Sequence, residues 1–122
     1  MTVTALHSRT GIPLVGGYGP AMAAKEALTR DLSAELAPHG IRVVSLRPHA
    51  IPETDSIQDV FKLKAAAVMT WEQWQASLAS RTHTRRLTTL AELASVAVFV
   101  ASDKAGGMTG TTLNLTMGTL DD

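Results

Sequence analysis

The residue types best suited to acid–base chemistry lie at the start of one amphipathic segment, where Tyr18 follows two glycines. A free tyrosine ionises near pH ~10, so a phenol transfers protons well at neutral pH only when a nearby cation favours its ionised form. Lys25 points nearly the same way on a helix, about 10.5 Å further along the axis. Tyr18 and Lys25 are therefore candidate catalytic residues. The alternative for Lys25 is a charge that extends to solvent from the apolar stripe.

Tyr18 is predicted to begin a helix that ends before Pro38, with Gly40 as its left-handed cap. Five apolar residues recur at spacings of three and four and are predicted to face the core: Ala21, Ala24, Leu28, Leu32 and Leu36. Three polar residues are predicted on the opposite side: Glu26, Arg30 and Ser33. Residues 41–46 follow at once as a short apolar strand, so the helix is half of a βαβ unit.

The remaining elements complete an α/β pattern. Residues 2–6 and 111–115 are typical of strands, and residues 56–69 are helix-prone. Capping boxes at Thr70/Gln73 and Thr89/Glu92 predict helices over 71–79 and from 90 to about 102, the second with Leu93, Val96, Ala97 and Val100 inward. The order β-α-β-α-α-β predicts a partial Rossmann-like layer of about three parallel strands with flanking helices and right-handed crossovers. Residues 1–122 form one domain.

Bulk composition excludes several function classes. The 122 residues carry eleven basic and eleven acidic side chains, which argues against a nucleic-acid or membrane-surface partner. No cysteine is present, so no disulfide framework exists. No apolar run is long enough to span a bilayer, and the first residues lack the layout of a signal peptide. We therefore expect a cytoplasmic protein.

Three other groups of residues could bind a ligand. The basic cluster at residues 81–86 could meet a phosphate, although a solvated turn explains it as well. The histidines at positions 7, 39, 49 and 83 have no metal-ligand spacing on a helix, so no metal is predicted. Four apolar residues could line a substrate pocket or serve as core or interface anchors: Phe61, Met69, Trp71 and Trp74.

The stretch from Tyr18 to Val43 resembles the second half of a short-chain dehydrogenase/reductase. The sequence Ala-Ala-Lys-Glu-Ala-Leu-Thr-Arg-Asp-Leu-Ser-Ala-Glu-Leu-Ala-Pro-His-Gly-Ile-Arg-Val carries the likeness, which continues through residues 47–48, 93–103 and 109–115. The resemblance covers nearly the whole chain. It implies NAD(P)-dependent oxidoreduction of a carbonyl or hydroxyl group on a small-molecule substrate, with Tyr18 as the acid/base residue.

Two catalytic positions of the family differ here. Its active site pairs the tyrosine with a lysine four residues later and with a serine on the preceding strand. Aligned on Tyr18, the lysine position is Met22 and the serine position is Ala5. A thioether supplies no charge and an alanine supplies no hydroxyl, which leaves Lys25 and Ser8 as the nearest replacements. The enzymatic activity is therefore uncertain, and the chain alone is expected to be inactive or strongly impaired.

The resemblance also implies a cofactor loop directly after the second strand. Pro48, His49, Ile51 and Thr54 occupy it and are the candidate cofactor-binding residues. Histidine replaces the family's glycine at position 49, so the alternative is a solvent loop. His49 could also act as a replacement acid. The family's glycine-rich dinucleotide turn is absent from the sequence, and the glycines at 16, 17 and 19 are interpreted as turn residues. The cofactor is NAD or NADP by resemblance, or none bound by this chain alone.

The resemblance covers only the second half of the family's fold, and we therefore expect the chain to self-associate. A half sheet leaves its first strand with an unpaired edge. In the family, the helices equivalent to residues 20–38 and 90–101 lie at subunit contacts, so a homo-oligomer is expected. Two functions stay open: an oxidoreductase impaired as this chain alone, or a non-catalytic oligomerisation or binding module derived from the family. A further interpretation is that the sequence is a fragment of a longer gene product.

Overall fold

A computed structural model describes all 122 residues as three parallel strands with helices on both faces. The strands are β1 (Thr2–Val3), β2 (Val44–Pro48) and β3 (Thr111–Leu115), in the spatial order β1-β2-β3. The helices are α1 (Tyr18–Leu36), α2 (Asp55–Lys64), α3 (Trp71–Ala79) and α4 (Leu90–Ala101). The predicted α/β layer and its element order are confirmed.

The register of the strands shows which segments lie together at the carboxyl end of the sheet. Thr2 pairs with Ser45, and the β2–β3 ladder runs in parallel from Val44 opposite Thr111 to Pro48 opposite Leu115. The carboxyl ends of parallel strands meet at the same edge, where ligands bind in open α/β sheets. The segments after β1 and β2 therefore leave the sheet beside each other.

The apolar core lies between the sheet and α4. Val44, Leu46 and Val100 form its buried centre. Six partly buried residues pack around them: Leu93, Val96, Ala97, Met108, Leu113 and Leu115. The inward face predicted for α4 is confirmed. Thr89 begins the helix with the predicted capping box, as Thr70 does for α3.

The opposite face of the sheet is polar, and here the predicted orientation of α1 is wrong. Glu26, Thr29 and Ser33 are the buried residues of α1, while the side chain of Leu28 is half exposed. The hydroxyls of Thr2 and Thr29 lie 3.1 Å apart, and those of Ser33 and Thr109 lie 2.7 Å apart. Hydrogen bonds thus replace apolar burial between α1 and the sheet.

Several element boundaries also differ from prediction. β1 is shorter than residues 2–6, because a 3₁₀ turn at Leu6–Ser8 takes over. β2 begins later than residue 41, and α2 ends at Lys64 rather than at 69. The cap at Gly40 is confirmed by its φ of 74° after the 3₁₀ turn Ala37–His39. None of the helices is both long and apolar enough to cross a membrane.

Candidate active site

Tyr18 lies at the first position of α1, at the carboxyl-end edge of the sheet. Its side chain is 46% exposed, and its ring meets the imidazole of His7 edge-on with centroids 5.2 Å apart. Gly19 makes this approach possible, because a Cβ at that position would lie 2.9 Å from the carbonyl oxygen of His7. The 3₁₀ turn after β1 therefore packs directly against the start of α1.

The two candidate helpers of Tyr18 are engaged elsewhere. The ammonium of Lys25 donates to the carbonyl oxygen of Val3 at 2.5 Å, which ties the helix to β1. The hydroxyl of Ser8 donates to a carboxylate oxygen of Glu26 at 2.6 Å. Met22 is partly buried one turn after Tyr18. Both candidate helpers are thus hydrogen bonded to other groups, and the catalytic roles of Tyr18 and Lys25 stay predictions.

A buried ion pair, which the sequence interpretation missed, lies beneath this edge. Arg47 donates from Nε and Nη2 to the two carboxylate oxygens of Glu26, each at 2.7 Å, and both side chains are about 95% buried. Thr4 donates to the same carboxylate at 3.1 Å. One signal was available: an arginine inside a buried strand requires a counter-charge, and Glu26 is on the adjacent helix.

Burial alone would raise the pKa of the Glu26 carboxyl. The hydrogen bonds from Arg47, Ser8 and Thr4 outweigh burial and hold that pKa below its usual range. Arg47 gains a second partner, since Nη1 donates to the carboxylate oxygens of Asp122 at 2.8 and 3.0 Å. The network therefore links β1, α1, β2 and residue 122.

His49 is buried directly after β2, which corrects the interpretation of this position as a solvent loop. Only 8% of the residue is exposed, and its Nδ1 accepts from the amide of Ala50 at 2.5 Å. Burial, and then the charges of His7 and Arg81, lower the pKa of His49 to about 4. The imidazole is neutral at pH 7, so it has no proton to give as an imidazolium acid.

The four candidate cofactor residues lie together at this edge but do not fit a dinucleotide through their side chains. His49 and Ile51 are buried, and Pro48 is the last residue of β2. The hydroxyl of Thr54 donates to the carbonyl oxygen of Ile51 at 2.8 Å and stands at the start of α2. The polar atoms of His49 and Thr54 that bond do so with the backbone of the same loop, and cofactor binding by these residues stays a prediction.

Two cavities flank the network. One of about 520 Å³ is lined by the turn after β1 and the start of α1, including His7, Gly16 and Gly19. A larger one of about 860 Å³ lies between the start of α4 and the end of β3. Tyr18 does not line the smaller cavity, although its ring contacts that of His7, which does.

The aromatic residues predicted to line a pocket or to anchor the core or an interface pack on one another. Phe61 of α2 lies 5.2 Å from Trp71 and 5.5 Å from Trp74 of α3, measured between ring centroids. All three are partly buried. In the basic cluster, Arg86 pairs with Glu92 at 2.6 Å. No group of three or more histidine, aspartate or glutamate side chains is placed to hold a metal ion.

Known proteins with similar sequences define the family. A family model described as enoyl-(acyl carrier protein) reductase matches residues 1–119. The short-chain reductase protein NovJ of Streptomyces niveus is 32% identical over 100 residues, which cover 80% of this chain and 36% of that protein. The chain belongs to the short-chain dehydrogenase/reductase family. This short-chain dehydrogenase/reductase chain spans about a third of the length of the curated relatives it matches.

Solved structures of this family share the fold. Sorbitol-6-phosphate 2-dehydrogenase from Erwinia amylovora superposes with a TM-score of 0.88 at 26% identity, over 98% of this chain and 47% of that chain. A gluconate 5-dehydrogenase from Burkholderia cenocepacia, solved in complex with NADP and tartrate, has a TM-score of 0.80 at 24% identity. It covers 96% of this chain and 42% of that chain, and it supports the fold alone.

Proposed function

We propose that these 122 residues are the second half of a short-chain dehydrogenase/reductase fold and that Tyr18 is its acid/base residue. The observation that carries the proposal is the position of Tyr18, half exposed at the start of α1 and at the carboxyl-end edge of a parallel sheet. In the family's chemistry a nicotinamide supplies or accepts the hydride. Tyr18 would give its hydroxyl proton to the carbonyl oxygen of a small-molecule substrate, or accept a proton from the alcohol.

We propose further that this chain alone is inactive or strongly impaired. Met22 supplies no cation and Ala5 no hydroxyl, and the contacts of Lys25 and Ser8 hold them away from the phenol. A phenol transfers protons well at neutral pH only when a nearby group favours its ionised form. In the loop after β2, His49 and Thr54 already bond to the loop backbone, so we propose that NAD or NADP binding would need contacts beyond that loop.

Cofactor titration tests the oxidoreductase directly. Adding NADPH or NADH to the purified protein and following nicotinamide fluorescence should give saturable binding if the chain accepts a dinucleotide. Tyr18→Phe should then abolish turnover of a panel of aldehydes and ketones while leaving cofactor affinity unchanged. Unchanged turnover in Tyr18→Phe would remove this residue from the mechanism.

Restoring the missing helpers is the complementary experiment. The double variant Met22→Lys with Ala5→Ser should gain reductase activity, because a cation lowers the pKa of the phenol and a hydroxyl holds the substrate oxygen. Met22→Gln with Ala5→Ser is the matched control, since it keeps the length at position 22 without the charge. Equal activity in both double variants would contradict the electrostatic account of the impairment.

A second candidate function is a non-catalytic oligomerisation or binding module. The accessible surface is 7214 Å², whereas a compact monomer of this mass exposes about 6300 Å². Apolar residues on α1 and α4 contribute to this accessible surface: Leu28 of α1 is 51% exposed and Val98 of α4 is 71% exposed. We propose that these faces meet another copy of the chain. The cytoplasmic location stays a prediction.

A further inference from the structure

Three residues bind the side chain of Asp122 at the carboxyl-end edge of the sheet. Nη1 of Arg47 in β2 donates to both carboxylate oxygens, at 2.8 and 3.0 Å. Nη2 of Arg9, after β1, lies 3.3 Å from Oδ2, and the side-chain amide of Asn114 in β3 donates to Oδ1 at 3.4 Å. Each carboxylate oxygen therefore meets two nitrogen atoms, and three separate segments converge on one carboxylate.

Two of these donors are held in place by contacts that do not involve Asp122. Nε and Nη2 of Arg47 are bound to Glu26, and only 4% of the Arg47 side chain is exposed. The amide oxygen of Asn114 accepts from the backbone amide and the hydroxyl of Thr116, at 3.0 and 2.6 Å, which directs the NH₂ group away from Thr116. Donors that are fixed before a ligand arrives lose little conformational freedom when it binds.

The charges around the site balance only while a carboxylate is bound there. Arg9 and Arg47 carry two positive charges, and Glu26 and Asp122 carry two negative ones. Without the Asp122 carboxylate the other three groups have a net charge of one positive unit. Because a guanidinium forms strong, directional hydrogen bonds with a carboxylate, the site favours such a group over a neutral one.

The site is accessible from solvent and adjoins a cavity. The side chains of Arg9 and Asp122 are 54% and 38% exposed. Asp122 and Asn114 both line the larger cavity of about 860 Å³, whose lining also includes Val96 and Leu115. This volume is in the usual range for small-molecule sites. An organic acid with its carboxylate in the place of the Asp122 side chain could therefore extend its apolar part into this cavity.

We propose that Arg9, Arg47 and Asn114 form a binding site for the carboxylate of a small organic acid, and that Asp122 occupies the site until the acid displaces it. Residues 118–122 are then a tethered competitor, which lowers the apparent affinity in proportion to the fraction of molecules whose site is free. Binding makes and breaks no covalent bond and needs no nicotinamide, so the site goes beyond the proposed oxidoreductase function.

Titration with hexanoate, followed by the NMR signals of the Asn114 side-chain amide, tests the site. We expect Asp122→Ala to bind hexanoate about ten-fold tighter than the unmodified protein, as it should if the site is free in about a tenth of the molecules. Asp121→Ala is the matched control, because the Asp121 side chain is 90% exposed, and it should leave the affinity unchanged. Equal affinities in Asp122→Ala and the unmodified protein would overturn the proposal.

Hexanol has the same apolar chain without the charge, so its binding should not improve in Asp122→Ala. An equal gain for hexanol would assign the effect to the apolar cavity and would also overturn the carboxylate site.

Arg9 can be tested in the Asp122→Ala background, because it is exposed and forms no part of the buried pair. Adding Arg9→Gln should weaken hexanoate binding by about ten-fold, since a charged contact to the carboxylate is lost. Arg30→Gln, at an exposed arginine of α1, is the matched control and should change nothing. Unchanged binding in the Arg9→Gln protein would remove Arg9 from the site and overturn the proposal.

A measurement on the unmodified protein covers the case in which Asp122→Ala fails to fold. Saturating hexanoate should shift the backbone amide signal of Asp122 together with the side-chain amide of Asn114. Binding that moves neither signal would place hexanoate elsewhere and overturn the proposal. Displacement of Asp122 without any nicotinamide binding would reject the oxidoreductase alone, whereas nicotinamide binding with no response of Asp122 to hexanoate would reject the carboxylate site alone.

Discussion

Glu26 and Arg47 form the buried charge pair that joins α1 to the centre of the sheet. Each charge is costly to bury alone, and the pair is favourable here because both carboxylate oxygens and three guanidinium nitrogens are hydrogen bonded. Removing one partner leaves the other charge uncompensated, so the cost of that change exceeds the net stabilisation by the pair.

Glu26→Ala should therefore lower the free energy of unfolding by about 3 kcal/mol. We take the lower end of the usual range because Asp122 still pairs with Arg47 at 2.8 Å. Urea denaturation followed by tryptophan fluorescence measures the loss. Glu35→Ala on the exposed side of the same helix is the control and should change stability by less than about 0.5 kcal/mol. Equal losses in the two variants would contradict the assignment.

His49 should make stability depend on pH. Its pKa in the folded protein is about 4, below the unfolded value of 6.5, so the unfolded chain binds the proton first as pH falls. Stability should therefore decrease from about pH 6.5 to pH 4, by at most about 3 kcal/mol from this group. Urea midpoints across this range measure the slope.

His49→Gln should reduce that slope, because the variant has no group that titrates between the two states. His39→Gln is the control, since His39 is exposed and its removal should leave the pH dependence unchanged. A His49→Gln protein whose midpoint falls with acid as steeply as that of the unmodified protein would assign the effect to carboxylates such as Glu26 instead.

The contact between the start of α1 and the turn after β1 decides where Tyr18 points. Glycine inside a helix usually costs stability relative to alanine, by roughly 0.5–1 kcal/mol. At Gly19 the sign should reverse, because a Cβ would lie 2.9 Å from a backbone oxygen that cannot rotate away. The same geometry places the imidazole against the phenol.

Gly19→Ala should lower the free energy of unfolding by about 1–3 kcal/mol through this overpacking. It should also move the ring-current-shifted resonances of His7 and Tyr18 in proton NMR. Gly17→Ala is the matched control, since nothing lies within 4 Å of a Cβ at that position. If alanine at 19 were as well tolerated as alanine at 17, the two elements would not be locked together as described.

At the scale of the whole molecule, the proposed self-association rests on the outward faces of α1 and α4. Leu28→Glu and Val98→Glu should each shift the protein to monomer in sedimentation velocity, because a buried unpaired carboxylate is costly at an apolar contact. Leu63→Glu is the control, a leucine on α2 that is more exposed than either, at 84%. A monomer at all concentrations before any substitution would reject the oligomer.

Periodicity, caps and turns in the sequence alone determined the element order, the parallel sheet, the ends of α3, the inward face of α4 and the glycine cap at residue 40. These features follow from local propensity and from apolar spacing, which act within a few residues. The same signals placed Tyr18 at a helix start and Arg47 directly after the strand 41–46, without connecting either to its partner; in the structure Arg47 lies within β2.

Only the tertiary structure decided which way α1 faces, because the side of α1 that meets the sheet contacts polar and charged groups rather than apolar ones. An apolar stripe predicts burial when the opposing surface is apolar, yet α1 meets threonine hydroxyls and Arg47, so Glu26 turns inward and Leu28 outward. The surroundings of His7, Lys25 and His49 also depend on tertiary packing. Contacts between residues more than twenty positions apart leave no periodic pattern in a sequence, so packing had to determine them.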